Sequence, residues 1–135
     1  MSLGDELRHL RALHGGIDLG EIEKTTGVPR GTIRMWEQRY RRVGEDDEML
    51  ARLADYYNVP LQELKFHRER YRKALSAVLY RSEETDRVVR FRLRTGEMMA
   101  GRVRWWDLGA FGLEREGQEL TVVQRHAVID WEGSE

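Results

Sequence analysis

The chain has 135 residues, enough for one medium or two small domains. Its 23 Lys and Arg stand against 24 Asp and Glu, so any nucleic-acid contact must come from local basic clusters rather than from a broadly basic surface. The absence of cysteine excludes disulfides and thiolate metal sites. No apolar run reaches membrane-spanning length and no signal-peptide pattern precedes the first helix, so the expectation is a cytoplasmic protein with no membrane partner.

Leu3, Leu7, Leu10 and Leu13 keep helical spacing and predict a first helix over about 3–13, ended by Gly15-Gly16. Asp18 and Glu21 are spaced as a capping box for a second helix over 19–26. Gly27-Val28-Pro29 then reads as a turn, with Pro29 tolerated at the start of the next helix. In that third helix, Ile33, Trp36 and Tyr40 fall three and four apart on one face to be buried. Arg30, Gly31, Thr32, Arg34 and Met35 supply its other surface. A helix held by one face, with a polar and basic face outward, is what a DNA major groove accepts.

Arg39, Arg41 and Arg42 follow as candidate phosphate contacts. Glu45-Asp46-Asp47-Glu48 suits the positive end of a fourth helix, without the convergence a metal site needs. Met49, Leu50, Leu53, Ala54 and Tyr57 form its buried stripe, and Asn58 ends it. From Pro60 an uninterrupted helical pattern runs to about Tyr80, with no Pro or Gly inside it, and residues 66–80 read as a stiff helical connector. Arg81-Ser82-Glu83-Glu84-Thr85 is the expected loop into a second domain.

The residues Leu7, Leu10, Arg11, Leu19, Ile22, Thr26-Gly27-Val28, Thr32-Ile33, Trp36-Glu37, Leu50, Leu53-Ala54, Asn58-Val59-Pro60-Leu61 and Glu63-Leu64 together resemble the helix-turn-helix domain of the Xre and phage-repressor family. The resemblance implies a DNA-binding domain of about five helices over 1–65. It also implies that the segment after the recognition helix lies along a phosphate backbone. Glu23 stands where that family usually has a small residue on the second helix.

Beyond residue 85 the periodicity changes from 3.6 to 2. Val89, Phe91 and Leu93 alternate with Arg90, Arg92 and Arg94, and Met99, Gly101, Val103 and Trp105 alternate with Met98, Ala100, Arg102 and Arg104. Phe111 and Leu113, Leu120 and Val122, and Ala127, Ile129 and Trp131 are the later inward positions. Turn signals fall at 107–109 and 116–118. About five short strands forming a small bent antiparallel sheet or barrel follow from this pattern. Pairing Phe91 with Met99 keeps the apolar residues on one face and requires a three-residue loop containing Gly96. The other face then carries Arg90, Arg92, Arg102 and Arg104, either a phosphate-binding surface or an ordinary solvated one.

A helix followed by five strands, with Leu93, Thr95-Gly96, Gly101, Val103, Trp106-Asp107 and Arg125-His126-Ala127-Val128, resembles the Sm-like, Hfq-like family. The fold class implied is α+β: a helical domain, then an Sm-like domain over 81–135. The resemblance implies a homo-oligomer, usually a hexameric ring closed by pairing the fourth strand of one subunit with the fifth of the next. It also implies uridine-rich RNA at Arg125 and His126. Leu108 and Gly109 stand where the family has a glutamine and an aromatic, and Arg92 stands where it stacks adenines.

No nucleophile–base pair or phosphate loop is present, and His9, His14 and His67 lack metal-ligand spacing, so the expectation is no enzyme, no cofactor and no metal. The leading reading is a DNA-binding transcriptional regulator assembled through an Sm-like ring. An RNA-binding riboregulator with an added DNA-binding head and a structural scaffold are the alternatives.

Overall fold

The computed structural model describes residues 1–38 and 41–132. The expectations for Arg39 and Tyr40 lie outside the described residues. The chain forms two compact units, one of Ser2–Tyr71 and one from Arg72 onward together with Met1.

Five helices make the first unit: α1 (Leu3–Leu13), α2 (Leu19–Thr26), α3 (Arg30–Gln38), α4 (Asp47–Tyr57) and α5 (Leu61–Arg68). Side chains accept from otherwise orphaned amides at the starts of α1, α2, α3 and α4, whereas α5 starts after Pro60 with no side-chain cap. The capping box sits on α1, where Ser2 and Asp5 satisfy each other's backbone, and not on α2 as the Asp18–Glu21 spacing suggested. On α2, Asp18 accepts from the Gly20 amide at 3.0 Å, while Glu21 turns to Lys24. Gly27, at φ +79°, closes α2 in the left-handed region, where a side chain would be strained.

Leu7, Ile22, Val28, Ile33, Leu50, Leu53 and Leu64 are fully enclosed in the core of this unit, with Trp36 and Tyr57 nearly so. Each such large aliphatic side chain contributes about 1.5–3 kcal/mol by leaving water. Gly4 lets α1 approach the end of α3, since a Cβ there would sit 2.7 Å from the Trp36 carbonyl oxygen. Glu37 is buried beside it. Arg11 grips its carboxylate with two donors, at 2.8 and 3.0 Å, and Arg8 donates to its carbonyl.

The uninterrupted helix expected from Pro60 to Tyr80 is divided at residues 69–71. No helix-breaking residue marks the place. Side-chain contacts do: Arg42, from 27 positions earlier, holds the Glu69 carboxylate at 2.7 Å, and locally the Arg70 guanidinium folds back 3.9 Å over the Phe66 ring. The second unit opens with α6 (Arg72–Thr85), which runs through the segment expected to be a loop. Ser82 and Thr85 turn their hydroxyls onto the Val78 and Arg81 carbonyls, so these polar residues stay inside the helix, and Ser82 is fully buried.

Five antiparallel strands follow: β1 (Val88–Leu93), β2 (Met98–Trp106), β3 (Ala110–Glu114), β4 (Leu120–Gln124) and β5 (Val128–Glu132). Their order in the sheet is β4-β3-β2-β1-β5, which leaves β4 and β5 as its two edges. Phe91 lies opposite Met99, and the Leu93 amide donates to the Glu97 carbonyl, so the three-residue loop 94–96 turns on Gly96 at φ +88°. Val89, Phe91, Val103, Phe111, Leu113, Val123 and Val128 face inward with Leu75, Val78 and Leu79 of α6, and the rings of Phe91 and Phe111 lie 4.8 Å apart.

Inward assignments change at three strands. A bulge between Val103 and Trp105 advances the alternation, so Trp106 packs on the core while Trp105 lies exposed over Gly112. On β4, Val123 is buried, and Leu120 and Val122 face outward. A 3-10 turn over Arg125–Ala127 delays β5, so Val128 takes the inward place expected of Ala127 and Ile129.

Candidate nucleic-acid interface

The outer side of α3 is the first candidate surface. Ile33, Trp36 and Glu37 are buried, whereas Gly31, Arg34, Met35 and Gln38 are exposed, Thr32 is half-buried and the Arg30 side chain is 63% exposed. The exposed residues recur at 31, 34–35 and 38, which is one helical face. Gln38 belongs to this face although the sequence reading passed over it. Its signal was available, four positions beyond Arg34. Glu23 closes the start of α3: it accepts from the Arg30 amide at 3.2 Å and meets the Arg30 guanidinium at 3.3 Å. The helix has no acid in its own first turn, so this carboxylate from α2 complements its positive end.

The arginines after α3 divide in role. Arg41 is exposed. Arg42 is clamped between Glu45 and Glu69, which hold its pKa above the ordinary value, and Glu69 is held below its own in return. Its charge is already offset, which makes it a weaker phosphate contact than its position suggests.

The second candidate is the arginine face of the sheet. Sequence alone showed four arginines without interleaved acids, and the fold supplies the acids from other strands and the preceding turn. Arg104 meets Asp86 and Glu114, each at 2.7 Å, and Arg102 meets Asp86 at 3.5 Å. Arg90 lies 3.7 Å from Glu132, and Arg92 lies 4.0 Å from Asp130. Glu114 is held below the usual carboxylate range by its hydrogen bond from Arg104. The surface is therefore mixed in charge rather than cationic.

The third candidate is Arg125 with His126. Arg125 is buried. It donates to the Asp107 carbonyl at 2.7 Å, the Arg72 carbonyl at 2.9 Å and the Ser76 hydroxyl at 2.7 Å. Burial, then the neighbouring Arg72 charge, lowers its pKa from the ordinary arginine value. This side chain ties α6 to the β2–β3 turn, and only His126 of the expected pair faces outward. Asp107 shapes that turn by accepting from the Gly109 and Ala110 amides, both at 2.8 Å. Leu108 at its tip is 74% exposed.

Among the described residues no helix is long and apolar enough to cross a membrane. Comparison with curated proteins gave no match. Residues 81–130 match the family model described as Hfq related. That match supports a C-terminal Hfq-related, Sm-like domain, and the α+β architecture of the described residues, six helices and then a five-stranded antiparallel sheet, is consistent with it.

Proposed function

We propose that this protein is a DNA-binding transcriptional regulator whose helical unit reads a groove through α3 and whose Sm-like domain joins copies of the chain. The observation that carries the reading is the division of α3: Ile33, Trp36 and Glu37 anchor one face, and Arg30, Gly31, Arg34, Met35 and Gln38 stand free of the core on the other. The resemblance of 7–64 to the Xre helix-turn-helix supports the same use. One such module binds weakly at physiological salt, and assembly raises effective concentration. Two features favour assembly. Strands β4 and β5 both end the sheet, and β4 presents Leu120 and Val122 outward. Pairing them between subunits gives the ring, six-membered by analogy with the family. Binding of Arg34→Ala to genomic DNA fragments tests the reading. Affinity is expected to fall by about tenfold, the loss of one base contact worth 1–3 kcal/mol, with unfolding unchanged. Equal binding by the variant would remove α3 from the interface.

A second reading, RNA binding by the C-terminal domain, is favoured by the Hfq-related match and by the exposure of His126. It requires weaker binding of uridine-rich RNA by His126→Ala. Unaltered binding would exclude that surface.

A further inference from the structure

Arg30 opens the outward face of α3, and its charge is already engaged from the neighbouring helix. One carboxylate oxygen of Glu23 meets the guanidinium at 3.3 Å, and the other accepts from the Arg30 backbone amide at 3.2 Å. The guanidinium also lies against Gly20, where a Cβ would meet it at 3.5 Å and the Asp18 carboxylate at 2.8 Å, so a second acid is near. Gly20 and Glu23 are three apart on one face of α2, and the Arg30 side chain is laid along that face. The two side chains of the pair are 63% and 35% exposed, and an ion pair this open to water contributes little to the fold. Its larger consequence is for what α3 offers to a polyanion.

We propose that Glu23 is a built-in competitor for DNA phosphate: it offsets Arg30 and occupies the Arg30 amide, so that α3 meets the DNA backbone with one cation fewer than its sequence supplies. The inference rests on the reading of α3 as a DNA-contacting surface. A phosphate approaching Arg30 meets a like charge, and it must displace the carboxylate to reach either the guanidinium or the amide. Sequence-independent affinity for DNA comes mainly from cations that release counterions when they reach phosphates. A cation already paired within the protein releases few, so the contact lowers binding to DNA of any sequence while leaving the side chains farther along α3 untouched.

The test is binding of the full chain to a fluorescent DNA duplex of mixed sequence, measured by anisotropy over a salt series. Glu23→Gln keeps an oxygen to accept from the Arg30 amide and removes the charge, with circular dichroism and thermal unfolding as checks on the fold. It is expected to raise affinity by up to about eightfold at roughly 0.1 M salt and to steepen the fall of log K with log salt by about 0.9, the share of one phosphate contact. Glu21→Gln removes an equal charge from the same helix, where Glu21 pairs with Lys24, and is expected to leave the slope unchanged. Combining Glu23→Gln with Arg30→Ala is expected to abolish the gain. An unchanged slope in Glu23→Gln, an equal gain in Glu21→Gln, or a gain that survives Arg30→Ala would overturn the proposal. If Arg34→Ala still weakens DNA binding in that event, α3 remains the DNA-contacting surface. Absence of DNA binding by every form would remove that reading and this inference together.

Discussion

Replacing Arg125 with alanine separates a structural role from an RNA-binding one. The guanidinium satisfies two backbone carbonyls, of Arg72 and Asp107, and the Ser76 hydroxyl. Hydrogen bonds to charged groups contribute about 1.5–3 kcal/mol each, but three made by one group are not additive. Water can reach part of the gap, and the apolar stem of the side chain is lost as well. A destabilisation of about 3 kcal/mol is expected, a large share of the 5–15 kcal/mol typical of a whole domain. Lysine at 125 keeps the charge but not the forked donors, so it is expected to recover under half of the loss. Three of the four tryptophans, Trp105, Trp106 and Trp131, lie in this domain and Trp36 in the helical unit, so urea unfolding followed through the near-ultraviolet signal reads mainly this domain. A loss below about 0.5 kcal/mol, accompanied by lost RNA binding, would refute the structural assignment.

Glu37→Gln removes the partner of Arg11 inside the helical unit. Breaking a fully buried pair costs about 3–5 kcal/mol; Arg11 keeps 28% of its side chain exposed, so about 2–3 kcal/mol is expected by thermal unfolding, and adding Arg11→Met should return part of it. Gly101→Ala drives a Cβ into the Glu114 carbonyl of the neighbouring strand, and an overpacking loss of about 1–3 kcal/mol in urea is expected. Acid sensitivity follows from Asp107, whose carboxylate is held below its ordinary value of 3.8 by the Ala110 amide and then the Gly109 amide. A depressed folded value means that its stabilisation is complete above the ordinary value and is lost as pH falls through the lower folded one. Asp107→Asn should therefore lose less stability than the parent on acidification below pH 3.8, a difference read from paired melts.

Local pattern made much of this fold legible. The leucine spacing of α1, the left-handed Gly27 after α2 and the Phe91–Met99 register each depend on residues close in sequence, and each is found as expected. What failed to show depends on contacts between distant residues. The break after α5 has no local breaker, and Arg42, 27 positions earlier, holds its Glu69. The bulge at Val103–Trp105 shifts which tryptophan is inward, because a one-residue slip exchanges the two faces of a strand. The same holds at the candidate sites. Spacing alone divides α3 into two faces, so Arg34 and Met35 could be placed from the sequence. Whether Arg102 and Arg104 are bare or paired depends on Asp86 and Glu114, and the inward turn of Arg125 depends on α6.

The most direct test of DNA reading through α3 is crosslinking of the protein to nucleic acid in cells, followed by separate sequencing of the bound DNA and RNA, for the parent chain and for Arg34→Ala. Discrete DNA sites with a shared motif, lost in the variant, are expected. Enriched RNA with only diffuse DNA, unchanged by Arg34→Ala, would contradict it and leave the Sm-like domain as the part that binds nucleic acid.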